Sequence, residues 1–165
     1  MAGAPTTCRH GLMPIQGSNA WLVEQARGDG VLAIFPIDSG ARSVESMCRS
    51  AISTTREALE RATRMISQRD GSDLPPIRSG ISLHVGEVVY GNVGTHRRFD
   101  FTVIGPAVNA AARLEGLTKD LDVPVGASAK LRDAAPEPFQ DMGAHMVPGV
   151  ANDLEAFTLP ELAVP

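Results

Sequence analysis

Gly80-Ile-Ser-Leu-His84-Val-Gly86, then Gly91-Asn-Val-Gly94, then Arg98-Phe-Asp-Phe-Thr102-Val-Ile-Gly105, then Val108-Asn109-Ala-Ala-Ala-Arg113-Leu-Glu115 is the stretch that decides the fold. Its alternation of apolar and small or polar residues predicts a strand over 77–85, a turn near Gly86 and a returning strand over 88–93. Gly91 and Gly94 mark bends or places where another backbone comes close. A further short strand is predicted over 99–104. Pro106 sits where a helix can begin, because the N–H it lacks has no partner in a first turn anyway. The apolar spacing continues that helix over 108–117. Asn109 and Arg113 are four apart, which puts them on one helix face, one turn from each other. Ala110, Ala111 and Ala112 between them are small, leaving room for a ligand or for close helix packing.

Upstream, the segments 21–26 and 31–35 flank Gly28-Asp29-Gly30 and read as a β-hairpin. Residues 1–20 carry Gly, Pro, Ser, Thr and Asn without an apolar period and are expected to be a loose tail, with the domain over 21–160. Between the two hairpins, residues 41–68 form the clearest helix. Val44, Met47, Cys48, Ala51, Ile52, Thr55, Ala58, Leu59, Ala62, Met65 and Ile66 recur at three and four, while Glu45, Arg49, Arg56, Glu57, Glu60, Arg61 and Arg64 lie between them on the other face. Downstream of Lys119 come Val123-Pro-Val125, a short helix over 128–134, and two weaker β-like runs over 144–147 and 155–159. Strands and helices in this order predict an α/β or α+β sandwich with helices laid on a sheet.

The chain has 165 residues, 43% hydrophobic and 21% charged, the composition of one ordinary globular domain. A formal net charge of −4 argues against a nucleic-acid partner, since phosphate backbones favour basic surfaces. A phosphate-bearing small ligand remains compatible with it if a metal ion supplies positive charge locally. The cysteines are Cys8 and Cys48, too few and too far apart for a disulfide framework or a Cys-rich metal site. Cys48 lies on the apolar stripe of the long helix and is expected as a buried thiol. Sparse cysteine fits a reducing, cytoplasmic setting. The most apolar run, 31–37, is too short to cross a bilayer, and no apolar stretch follows Arg9 as a signal peptide would require.

The ordered run from Gly80 to Glu115 resembles the class III adenylate/guanylate cyclase catalytic domain, in its bacterial form at Ile104-Gly105-Pro106-Ala107-Val108-Asn109. Upstream, Gly28-Asp29-Gly30 before Val31-Leu-Ala-Ile-Phe-Pro36 is similar to that family's metal-binding hairpin. The likeness covers roughly residues 22–159 and weakens after Thr118. It implies a ferredoxin-like βαββαβ sandwich that dimerises head to tail, with active sites between two chains. It also implies conversion of ATP to cyclic AMP and pyrophosphate, in cyclic-nucleotide signalling, with Mg²⁺ or Mn²⁺ as cofactor.

Residue by residue, the resemblance makes Asp29 one of two metal-bridging aspartates; standing alone, Asp-Gly would read simply as a turn. It gives Asn109 the task of orienting the ribose and Arg113 that of stabilising charge on the α-phosphate, a use suited to a planar guanidinium. Standing alone they would be a capping Asn and an exposed Arg. Thr102 falls where the family contacts the base, and is equally a strand Thr chosen for β-propensity. The partner position, usually Lys in adenylate cyclases, maps to Gln25, which bonds to a base without carrying charge. His84 reads as a core or interface histidine rather than a catalytic base.

Two features depart from the family pattern. Its other metal aspartate lies on a first strand, followed by two helices. A strand, two helices and their loops need about forty residues. Only 28 residues precede Asp29, with Glu24 the one acid among them. The first strand and its helices are therefore expected to be missing. In addition, Pro148 stands where the closing hairpin usually carries Lys or Arg. These departures predict weak or no turnover for the chain alone. They keep open a degenerate domain that binds nucleotide without catalysis, or one lending Asn109 and Arg113 to a complete partner chain in a heterodimer. A generic interaction domain alike only in fold is a third possibility, against which the Asn109/Arg113 pair argues.

Overall fold

Ser43 starts the long helix: in extended conformation at the N-cap, its side chain accepts from the Ser46 N–H at 3.2 Å. The computed structural model describes residues 12–14, 21–24, 31–38, 42–68, 80–95, 98–147 and 153–162; for 12–14, 21–24, 90–95 and 98–102 it describes backbone only. Helix α1 runs Val44–Ser67. Arg49, Arg61 and Arg64 pair with Glu45, Glu57 and Glu60 one turn back on its outer face. Such exposed pairs contribute a few tenths of a kcal/mol each. What holds the helix is its inner stripe of Met47, Cys48, Ala51, Ile52 and Thr55, all buried. Burying a side chain the size of Ile52 contributes about 1.5–3 kcal/mol.

Strands β1 (Leu12–Pro14), β2 (Trp21–Glu24) and β3 (Val31–Ile34) form one antiparallel sheet. The expected first hairpin is present as β2–β3, with Glu24 opposite Val31. Leu12–Pro14, within the stretch expected as a tail, pair with β2. Strands β4 (Ile81–Leu83), β7 (Val125–Ser128), β8 (Gln140–His145) and β9 (Leu154–Thr158) make a second sheet in the order β4-β7-β9-β8. Strands β5 (Val89–Thr95) and β6 (Arg98–Ile104) pair with each other. Helix α2 spans Pro106–Asp120 and α3 spans Ala129–Ala134.

The second hairpin differs from the sequence expectation. β4 does not return on β5; it pairs in parallel with β7, while β5 pairs with β6. A parallel pair needs a crossover, supplied here by the β5–β6 ribbon and α2. Alternation says that a segment is a strand and not which partner it takes, so a neighbour in sequence was the wrong inference at Gly86.

The four-stranded sheet is covered on both faces. Cys48, Ala51 and Ile52 of α1 and Leu131 of α3 pack with Leu83, Val125, Ala127, Phe157 and Leu159 in one cluster. Leu114 and Leu117 of α2 pack with Ala156 and Val147 in another. The alternation along β9, with Ala156 in one cluster and Phe157 in the other, is the strand period read directly. Gly126 lets α2 lie close on β7, since a methyl there would sit 3.2 Å from Leu114 Cγ and 3.1 Å from Thr118 Cγ2. Helices on both faces of a mixed sheet make the fold α+β, as expected. No helix among the described residues is long and apolar enough to cross a membrane.

Candidate nucleotide site on helix α2

The strand-to-helix junction at Gly105 positions the candidate residues. Gly105 has φ 154° and ψ 167°, and a methyl there would stand 3.1 Å from the Glu87 carbonyl oxygen. Pro106 follows at the helix start, and the Gly105 carbonyl accepts from Val108 N–H at 3.1 Å and Asn109 N–H at 3.4 Å. Glycine is favoured because the backbone angle strains any side chain and the space beside the Glu87 carbonyl is tight. The helix is then held down by Leu114, fully buried one residue after Arg113.

On this helix Asn109 and Arg113 are both exposed, one turn apart. Among the described residues neither side chain has a hydrogen-bond or ion-pair partner. An amide that both donates and accepts, beside an uncommitted guanidinium, offers a bidentate grip on an anionic oxygen and a neighbouring hydroxyl. Thr102 lies on β6 opposite Gly91, three residues before the Gly105 junction, so its backbone leads directly into the helix. Asp29 and Gln25 fall between β2 and β3 and lie outside the described residues, as do Cys8 and Pro148. The structure thus brings Asn109 and Arg113 together and says nothing of their geometry to Asp29 or Gln25. Among the described residues no three His, Cys, Asp or Glu side chains converge on a possible metal position. The described part of the chain therefore does not by itself make a divalent-ion cage.

His84, beyond the end of β4, is half-buried, with Nδ1 2.9 Å from Ser128 Oγ. Burial first, and then the Lys130 ammonium, hold its pKa below the ordinary histidine value. It packs within the domain, as the core alternative expected, and its partner Ser128 is what sequence reasoning missed. Ser128 closes β7 and caps α3 by accepting from Leu131 N–H at 3.4 Å. A Ser before a short helix signals the cap; nothing local signals a contact 44 residues away. A shallow concavity of about 190 Å³ lies elsewhere, over β8 and β9, lined by Arg132, Asp141, Glu155 and Phe157 among others.

Comparison with known proteins agrees with this architecture. No protein-family model matches the chain. An uncharacterised protein of Mycobacterium tuberculosis is 38% identical over 116 residues, covering 70% of this chain and 18% of that protein. Adenylate cyclase 1 of Rhizobium meliloti is 32% identical over 139 residues, covering 81% of this chain and 20% of that protein. A bacterial light-regulated adenylyl cyclase superposes with a TM-score of 0.69 at 27% identity, over 88% of this chain and 40% of that one. Fold, ordered sequence run and these likenesses define the class: the chain carries a class III nucleotide cyclase catalytic domain. It spans about a fifth of the length of the curated relatives it matches.

Proposed function

We propose that this chain acts as an adenylate cyclase domain that binds ATP and converts it to cyclic AMP and pyrophosphate across a subunit interface. The observation that carries this is the exposed, unpartnered Asn109/Arg113 pair, presented one turn apart by a helix whose next residue is fully buried. Two of the similar proteins being adenylyl cyclases supports adenine over guanine. In the reaction the ribose 3′-oxygen bonds to the α-phosphorus, the bond from that phosphorus to the bridging oxygen breaks, pyrophosphate leaves with the bonding pair, and the hydroxyl proton passes to solvent. Phosphoryl chemistry of this kind rests on positioning and charge stabilisation. Asn109 orients the ribose. Arg113 meets the charge that grows on the α-phosphate oxygens, and a fixed guanidinium does so without reorganising. Thr102 and Gln25 contact the base. Asp29 would be the residue of this chain to hold a Mg²⁺ or Mn²⁺ ion, which would neutralise triphosphate charge.

The test is a cyclic AMP assay with Mn-ATP and Mg-ATP, GTP in parallel, on the chain alone and mixed with a complete homologous cyclase. Arg113→Ala is expected to lower turnover about 10²–10³-fold, the usual loss for one donor to a developing charge. Its thermal melting should stay unchanged, because the side chain is exposed and unpaired. Equal turnover from wild type and Arg113→Ala, alone and in the mixture, would sink the reading. So would failure of the wild type to bind a fluorescent ATP analogue at about 1 mM, the upper end of ordinary KM values.

A further inference from the structure

His84 stands at a three-way junction that the proposed chemistry does not use. Its Nδ1 meets Ser128 Oγ at 2.9 Å, and Ser128 is buried where β7 passes into α3. The other side of the ring faces Gly86: a methyl on Gly86 would lie 3.0 Å from His84 Nε2 and 2.7 Å from the Ala107 methyl. No residue larger than glycine fits between the imidazole and the first turn of α2. One residue further on, the Glu87 carbonyl and Val88 Cα close against Gly105. The turn 84–88 is thus clamped between His84 and the start of the helix that carries Asn109 and Arg113.

We propose that His84 is a positioning residue for the first turn of α2: its uncharged ring, held by Ser128, seats the turn 84–88 under Gly105 and Ala107. The protonation arithmetic supports it. Ser128 Oγ already accepts the Leu131 N–H, so its own O–H is free to donate to an unprotonated Nδ1. A protonated ring has no lone pair to receive that hydrogen; the bond then persists only by reversing, with Nδ1–H donating to the second lone pair of Ser128 Oγ and the buried hydroxyl hydrogen losing its acceptor. The charged groups around the ring do not favour the cation. Burial and Lys130 on α3 oppose it, Ser128 on β7 and Ala107 on α2 are uncharged, and the one acid in the same turn, Glu87, is exposed and is not among the groups that shift the ring. Acid should therefore loosen the seat of α2 before it unfolds the chain. The positioning claim stands on the fold alone; only its effect on nucleotide rests on the proposed cyclase activity.

The experiment is an NMR titration of the intact chain from about pH 8 to about pH 5, the range in which histidine changes charge. The His84 ring nitrogens and the Val108 and Asn109 amides are followed together. The expected result is an Nε2–H tautomer at the alkaline end, and helix amides that move with the midpoint of His84. His84→Gln should flatten those amide titrations, and Ser128→Ala should displace the midpoint. Amides that stay still while His84 titrates, or that move with another midpoint, would overturn the proposal, and this outcome is readable from the wild type even if a variant fails to fold. In the cyclase assay His84→Gln should lower kcat more than it raises KM. A wild type that binds no nucleotide would remove the cyclase reading and leave the titration result standing.

Discussion

His84 also makes a prediction about stability. Its pKa is lowered in the folded chain, chiefly by burial. A base whose folded pKa lies below its unfolded value leaves the unfolded state binding more protons as acid is added. Its contribution is fully present above about pH 6.5, the unfolded histidine value, and is lost as pH falls toward the lower folded pKa. Glu161 behaves likewise in a more acidic window, because its hydrogen bond with Arg56 holds the carboxyl below the usual glutamate value. That pair is partly exposed, so solvent screening keeps its effect small. Thermal melting should decline as pH falls through the upper, histidine window, with His84→Gln removing that decline, while Glu161→Gln should make only a slight difference in the lower. A melting temperature that does not change as pH drops through the histidine range would refute the first of these. Cys48 adds nothing here, since burial and then Glu137 push its thiol pKa upward and leave it protonated throughout.

Among elements, α2 and its entry were the most legible in the sequence. Pro106 as a helix start, and Asn109 with Arg113 on one face, follow from local rules that tertiary packing did not override. Helix α1 was legible in period but not in extent of burial. Its stripe continues to Met65, yet that residue is 63% exposed, and the buried part of the stripe stops at Thr55. The pairing of β4 with β7 and the bond from His84 to Ser128 were not legible. Both join segments more than forty residues apart, and no periodicity carries that information. The Gly105 junction tests how far the entry governs the helix. Gly105→Ala forces a side chain into a left-handed angle and against the Glu87 carbonyl. Strain of this kind costs about 1–3 kcal/mol. The loss should appear in urea unfolding and, on the proposed function, as weaker nucleotide binding with Asn109 and Arg113 intact. Wild-type stability in the variant would mean that the junction relaxes freely and that α2 is placed by Leu114 and Leu117 alone.

At the scale of the molecule, the unexplained surface is the open end of the β5–β6 ribbon. Val89 and Ile104 are directly opposed across the ladder, which puts their side chains on the same face, and they are 68% and 51% exposed. Val88, next in the chain, is 40% exposed. Scattered exposed apolar residues mean little, but an opposed pair with a neighbour beside the helix carrying Asn109 and Arg113 is a small apolar patch next to the candidate site. On the proposed function this patch lies at the seam between subunits, where a second chain completes the site. A buried aliphatic contact of this sort tolerates no charge, since an unpaired ammonium in an interface loses its hydration without compensation. Ile104→Lys should therefore shift the chain from dimer to monomer in analytical ultracentrifugation. Cyclase turnover should fall with it and return partly at high protein concentration, as mass action requires of a site built from two chains. Arg113→Ala should stay a dimer while losing turnover, which separates assembly from chemistry. A wild type that sediments as a monomer at every concentration, yet still turns over ATP at a rate proportional to its concentration, would show a site complete within one chain and leave the Val89–Ile104 patch without this role.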